Sequence, residues 1–131
     1  MKARIRTYTQ KQVLELGLDD DKLAALEELC KQENIKVIKA SPDQGGEKVG
    51  ALLGLTGYAL RGKGDITVNS ELLLLSGFDE RELRTFVGKL KPNGVNVSLK
   101  ASLTDTNKDW TLSQLAGHIA EEHEYMTNRK E

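Results

Sequence analysis

Glu71–Leu115 reads ELLLLSGFDERELRTFVGKLKPNGVNVSLKASLTDTNKDWTLSQL, and its turn chemistry divides it into a strand, a helix, a second strand and a helix start. Leu72 to Leu75 are four consecutive apolar residues closed by Ser76 and Gly77. A run so short and so uniformly apolar predicts a central strand buried on both faces. Phe78, Asp79, Glu82 and Leu83 then spell a helix start. Asp79 is placed to cap a free amide, Glu82 to reach back, and Phe78 to pack on Leu83. Leu83, Phe86, Val87 and Leu90 recur at helical spacing, and Lys91-Pro92-Asn93-Gly94 supplies the stop.

From Val95 the period changes. Val95, Val97, Leu99, Ala101 and Leu103 alternate with Asn96, Ser98, Lys100 and Ser102, which predicts a strand with one apolar and one polar face. Thr104 to Asp109 reads as a polar loop. Thr111 and Gln114 repeat the helix-start grammar, with Trp110 expected to staple onto Leu115.

Outward from this stretch the chain repeats the same order. Val13–Leu16 reads as a strand, Asp20–Gln32 as a helix with Leu23, Leu26, Leu29 and Cys30 on one side, and Ile35–Ala40 as a strand. Ser41-Pro42 looks like a cap with proline at the first helical position, followed by the apolar Val49, Leu52 and Leu53. Gly17-Leu18-Asp19 with Leu23 matches Gly77-Phe78-Asp79 with Leu83 at an offset of 60. Lys39-Ala40-Ser41 matches Lys100-Ala101-Ser102 at 61, and Leu52 and Gly54 match Leu115 and Gly117 at 63. The expectation is an internal repeat within one domain, 1–131: a first βαβα half at 11–54, a connecting loop at 55–70 and a second half at 71–126. The fold class expected is α/β, a two-layer sandwich whose mixed four-stranded sheet comes from the two similar halves, with ferredoxin-like packing as the nearest analogy. Met1–Gln10, basic with Ile5 and Tyr8, is expected to be an edge strand or a loose arm. The glycines at 57, 62 and 64 follow a helix and precede a strand, which suits a mobile connector better than a phosphate loop. A short extended piece is expected at Ile66–Val68.

Composition bounds the function classes. At 131 residues the chain is long enough to bury a core without staples. Nineteen Lys and Arg stand against twenty Asp and Glu, a net charge of −1 that gives no general attraction for phosphate backbones and argues against a nucleic-acid partner. A single cysteine, Cys30, forms no internal disulfide and suits a reducing cytoplasm. No apolar run reaches membrane length and no signal peptide is visible, so a membrane partner is not expected.

With these residues laid out, the second half resembles the bacterial family known as domain of unknown function 3783. The resemblance rests on Leu75-Ser76-Gly77-Phe78, Leu83, Leu99-Lys100-Ala101 with Thr104, and Asn107-Lys108-Asp109-Trp110 with Leu112 and Leu115. It covers the first half loosely. It implies a small cytoplasmic protein of a family without an assigned activity, and it carries over no catalytic residues.

The chemistry-bearing side chains have structural readings. His118 and His123 are five apart and diverge by about 140° on a helix, so they do not share a metal. His118 with Glu122 makes only a two-ligand corner. Asp19-Asp20-Asp21 and Asp79-Glu80 fall in helix first turns, where negative charge complements the dipole. No cofactor and no metal ligand set is expected, and the balance leans away from an enzyme. Lys100, Asn107, Lys108 and Trp110 are the candidate ligand- or partner-binding residues. The expected function is a non-catalytic protein-interaction or self-association module. The alternative is a small-molecule or anion-binding protein, or an enzyme, that uses the Asn107–Trp110 loop.

Overall fold

The computed structural model describes residues 10–62, 64 and 66–129, with side chains as far as residue 123. The expected arm or edge strand at Met1–Gln10 therefore lies almost wholly outside the described residues. The elements are β1 (Gln12–Leu16), α1 (Asp20–Glu33), β2 (Lys36–Lys39), α2 (Val49–Leu52), β3 (Leu72–Ser76), α3 (Glu80–Leu90), β4 (Leu99–Ser102) and α4 (Leu112–Arg129), with 3₁₀ turns at Pro42–Gln44, Lys91–Asn93 and Asn107–Asp109.

The sheet order is β2-β1-β3-β4. β1 pairs parallel with β2, β3 pairs parallel with β4, and β1 and β3 meet antiparallel at the centre, with Leu14 opposite Leu74 as the middle of the register. The mixed four-stranded α/β sheet is the expected one, and the ferredoxin-like analogy fits it loosely. The layering differs from a two-layer sandwich. Val13, Leu73 and Leu75 pack with Leu26, Leu29 and Cys30 of α1 and Phe86 and Leu90 of α3. Leu14, Leu16, Leu72 and Leu74 pack on the opposite side with Val49 and Leu53 around α2 and with Leu112, Leu115 and Ile119 of α4. Successive strand residues point to opposite faces, so a strand as uniformly apolar as Leu72–Leu75 has to be covered twice. Three layers result.

The helix starts are written in side chains. The Asp19 carboxylate accepts from the Lys22 amide at 2.8 Å, and Asp79 from the Glu82 amide at 2.7 Å, while Glu82 reaches back to the Asp79 amide at 2.9 Å. Thr111 and Gln114 exchange the same pair of bonds at 2.9 and 3.1 Å.

Positions 60 apart play the same parts around the sheet centre. Gly17 and Gly77 both have positive φ, +79° and +88°, and each turn passes directly over the backbone that leads into the other half's central strand. A Cβ at Gly77 would stand 2.9 Å from the Gln10 carbonyl oxygen, and one at Gly17 would meet the Ser70 carbonyl oxygen more closely still. Beyond Ile35 and Val95 the spacing becomes 63. Ala40 donates to the Glu15 carbonyl at 2.9 Å as Leu103 does to Leu75 at 2.8 Å, and Lys48 bridges Thr111 antiparallel. The sheet thus sets Lys100 beside Leu73 as it sets Val37 beside Val13, so the pairing of Lys39 with Lys100 suggested by the sequence is two residues out of step.

The three extra residues, Asn96 to Ser98, also explain why the strand expected from Val95 to Leu103 is only Leu99–Ser102. The Val95 amide bonds back to the Leu90 carbonyl at 2.8 Å to close α3, and Val95 and Val97 both sink into the α1/α3 core. Alternation there records two loop residues burying themselves. Asn96 and Ser98 therefore do not extend a polar strand face.

The connector is more tightly held than its glycines suggest. Val68 is buried and its amide donates to the Pro42 carbonyl at 2.9 Å, although Ile66–Val68 forms no strand. Glu47, only 2% exposed, accepts from the consecutive amides of Arg61 and Gly62 at 2.8 and 2.7 Å. Two adjacent N–H groups in a glycine-containing turn make an anion cradle, and here the chain's own carboxylate fills it.

Candidate functional site

Among the described residues β4 is an edge strand, and its open side lies beside α4. Between them runs a cleft of about 330 Å³ lined by Lys100, Ser102, Asn107, Trp110, His118 and Glu122, among others. Three of the four residues singled out from the sequence thus share one cleft. Lys108 is not among the lining residues; its ammonium lies 3.5 Å from Asp105.

Asn107 is buried and fully engaged. Its Oδ1 accepts from the Thr104 amide at 2.8 Å, its Nδ2 donates to the Ser102 carbonyl at 3.0 Å, and its amide donates to Thr104 Oγ1 at 3.0 Å. That geometry folds the turn leaving β4, so the Asn107 amide is a brace for the cleft. The Lys100 ammonium donates to the Val97 carbonyl at 2.5 Å, which holds its stem along the strand edge. Trp110 does not merely staple the helix. Its indole stacks on the His118 ring, centroids 4.2 Å apart and planes 17° from parallel, which gives the cleft a flat aromatic wall.

The backbone of β4 adds what side chains do not. The Leu103 amide donates to Leu75, and Ser102 stands opposite Leu75, so in a parallel ladder the odd-numbered amides turn inward to β3. The Lys100 amide and carbonyl and the Ser102 amide therefore face outward, along the cleft. The Ser102 carbonyl is already taken by Asn107.

On the other side of the Asn107–Asp109 turn is a second cleft, of about 450 Å³, lined by Lys48, Tyr58, Arg61 and Asp109 with Gly57 and Ala59. The Tyr58 hydroxyl donates to the Asp109 carboxylate, which raises the phenol above its ordinary value. The Tyr58 ring lies flat on the backbone at Gly50, where a Cβ would stand 2.9 Å from three ring carbons. Sequence reasoning missed these residues. Lys48, Tyr58 and Arg61 come from two segments whose approach depends on Gly50 and the Glu47 cradle, and no local pattern announces it.

Elsewhere the reactive groups are muted. Burial, and after it the Glu33 charge, pushes the Cys30 thiol up to about 12, so it carries no thiolate at neutral pH. Glu15 is 5% exposed and, among the described residues, its Oε1 has no hydrogen-bond partner. Desolvation is the largest influence on it and raises its carboxyl above the ordinary value, against the Leu18 amide and the Lys39 charge, which lower it. Among the described residues no group of three His, Cys, Asp or Glu is arranged to hold a metal. No helix among them is long and apolar enough to cross a membrane.

Residues 71–126 match the family model described as domain of unknown function (DUF3783). No curated protein matches the chain, and no solved structure does. The DUF3783 match runs from the residue before β3 into α4, so it contains the whole β4–α4 cleft. In the second cleft only Asp109 falls inside the DUF3783 segment; Lys48, Tyr58 and Arg61 precede it.

Proposed function

We propose that the chain is a non-catalytic interaction module of the bacterial cytoplasm that takes an extended segment of a protein partner, or of a second copy, along the open edge of β4. The observation that carries this reading is the outward-facing backbone of Lys100 and Ser102, set beside a cleft with an aromatic wall. Main-chain groups that repeat every second residue match another extended chain, and the groove between strand edge and helix offers its side chains a place to lie. A four-residue edge strand bearing a lysine is poorly suited to indiscriminate pairing, so the groove supplies the selectivity. The lean away from catalysis is supported by the occupation of Asp19, Asp79 and Glu82 as caps and by the inert Cys30. The reducing compartment is supported by that same free, buried cysteine.

Ser102→Pro tests the reading. Proline deletes an outward N–H and places its ring where a paired strand would lie, yet removes no bond to β3. Native mass spectrometry of protein recovered gently from its host should show a second chain, or a multiple of the chain mass, with the parent protein and the bare monomer with Ser102→Pro. A parent protein that is itself a bare monomer, or a complex that the proline variant keeps, overturns the proposal.

A further inference from the structure

We propose that the cleft between residues 57–61 and the Asn107–Asp109 turn binds a small phosphate monoester through Lys48 and Arg61. Both cations line this one cleft, and among the described residues neither has an ion-pair partner. A phosphate monoester carries about −1.5 to −2 charges at neutral pH, which suits two cations, and the arginine fork matches two phosphate oxygens at once.

The backbones that present these cations are fixed. The Lys48 position is clamped by the bridge to Thr111, with Val49 donating to Trp110 at 2.8 Å and Leu112 donating to Glu47 at 2.9 Å. The Arg61 amide is gripped by the buried Glu47 carboxylate. Tyr58 is held between Gly50 and Asp109. Binding therefore has little backbone to order, and the freedom left to lose is that of the Lys48 and Arg61 side chains.

Asp109 decides what else the ligand carries. A bare anion would meet that carboxylate unfavourably, whereas a phosphorylated polyol offers hydroxyl donors to the oxygen that Tyr58 does not occupy. A volume of about 450 Å³ has room for such a body beyond the phosphate. The class is therefore a phosphate monoester of a hydroxyl-rich small molecule. The site is separate from the β4 edge and does not depend on strand pairing there.

The test is a titration of the ¹⁵N-labelled full chain with ribose 5-phosphate and, separately, with inorganic phosphate, at constant ionic strength, reading the amides of Tyr58, Arg61 and Gly62. Saturable shifts, with ribose 5-phosphate tighter than phosphate, are expected. Arg61→Ala and Lys48→Ala should each weaken binding about tenfold, the loss of one charge-assisted contact. Arg61→Ala keeps the amide that Glu47 holds, so the fold is preserved. Shifts that never saturate, alanine variants that bind like the parent, or a phosphoserine peptide that binds more tightly than ribose 5-phosphate would each overturn the proposal.

Discussion

The two halves of the sheet agree in their backbones and disagree in their side chains. Gly17 and Gly77 make equivalent turns, Asp19 and Asp79 cap the equivalent helices α1 and α3, and the Ala40 and Leu103 amides close equivalent ladders. The differences sit elsewhere. Glu15 stands where the second half has Leu75, Glu47 where it has Trp110, and the four-residue α2 where it has the eighteen-residue α4. The shared features are turns, caps and ladder bonds, which a common backbone requires. The unshared ones are side chains and helix length, and Trp110 and α4 among them line the β4–α4 cleft. Backbone geometry is kept between the halves, and side-chain chemistry diverges.

The joint between the halves predicts the largest effect. Alanine at Gly17 must adopt a left-handed φ and also push its methyl into the Ser70 carbonyl, so Gly17→Ala should cost about 2–4 kcal/mol in urea unfolding. Gly77→Ala meets a slightly roomier contact and should cost about 1 kcal/mol less. Gly54→Ala, at positive φ but in open space, isolates the conformational part at about 1 kcal/mol. Equal losses at all three would mean that the close approach between halves contributes nothing.

Glu15 breaks the agreement at one pair of equivalent positions, and its variants should show how much. Its folded carboxyl titrates above the ordinary range because burial disfavours the charge. Between the ordinary and the raised value the folded state binds more protons than the unfolded state, so stability falls as pH rises through that window. Glu15→Gln should flatten this slope. Glu15→Leu, which copies Leu75, should raise stability at pH 7 by about 1–3 kcal/mol, the cost of one buried unsatisfied polar group. A loss of stability with leucine at every pH would show that the Leu18 amide and Lys39 make the carboxylate a net benefit.

The sequence displays what is local and hides what is assembled. The apolar run of β3, the caps at Asp19, Asp79 and Thr111, and the stop after α3 are each contained within a few residues, and each is found where the residues place it. Val95 and Val97 mislead because burial in a loop and burial in a strand leave the same alternation. Lys100, Asn107 and Trp110 come together because a strand, a turn and a helix follow one another directly, so proximity in sequence carries over to the cleft. Lys48, Tyr58 and Arg61 converge only after the 55–62 segment has folded back over Gly50 and Glu47, an event with no periodic signature.

The smallest effect comes from the two ion pairs that flank the joint, and it is the sharpest comparison. Lys11 pairs with Glu82 at 2.8 Å, and at the equivalent place, with charges exchanged, Glu71 pairs with Lys22 at 2.7 Å. All four side chains are partly exposed, so each pair should show a coupling of only about 0.2–1 kcal/mol in a double-mutant cycle, shrinking with added salt. The two should not be equal. Glu82 is already fixed by its bond to the Asp79 amide, and that amide, ahead of Lys11, holds its carboxyl below the ordinary value. Lys11 also rests 5.7 Å from the centroid of the Phe78 ring. Less side-chain freedom is lost in forming that pair, whereas no cap holds Glu71, so the Lys11–Glu82 coupling should be the larger. A stronger Lys22–Glu71 coupling would mean that the capping box competes with the ion pair for Glu82, and that the half with the more elaborate helix start has the weaker clasp.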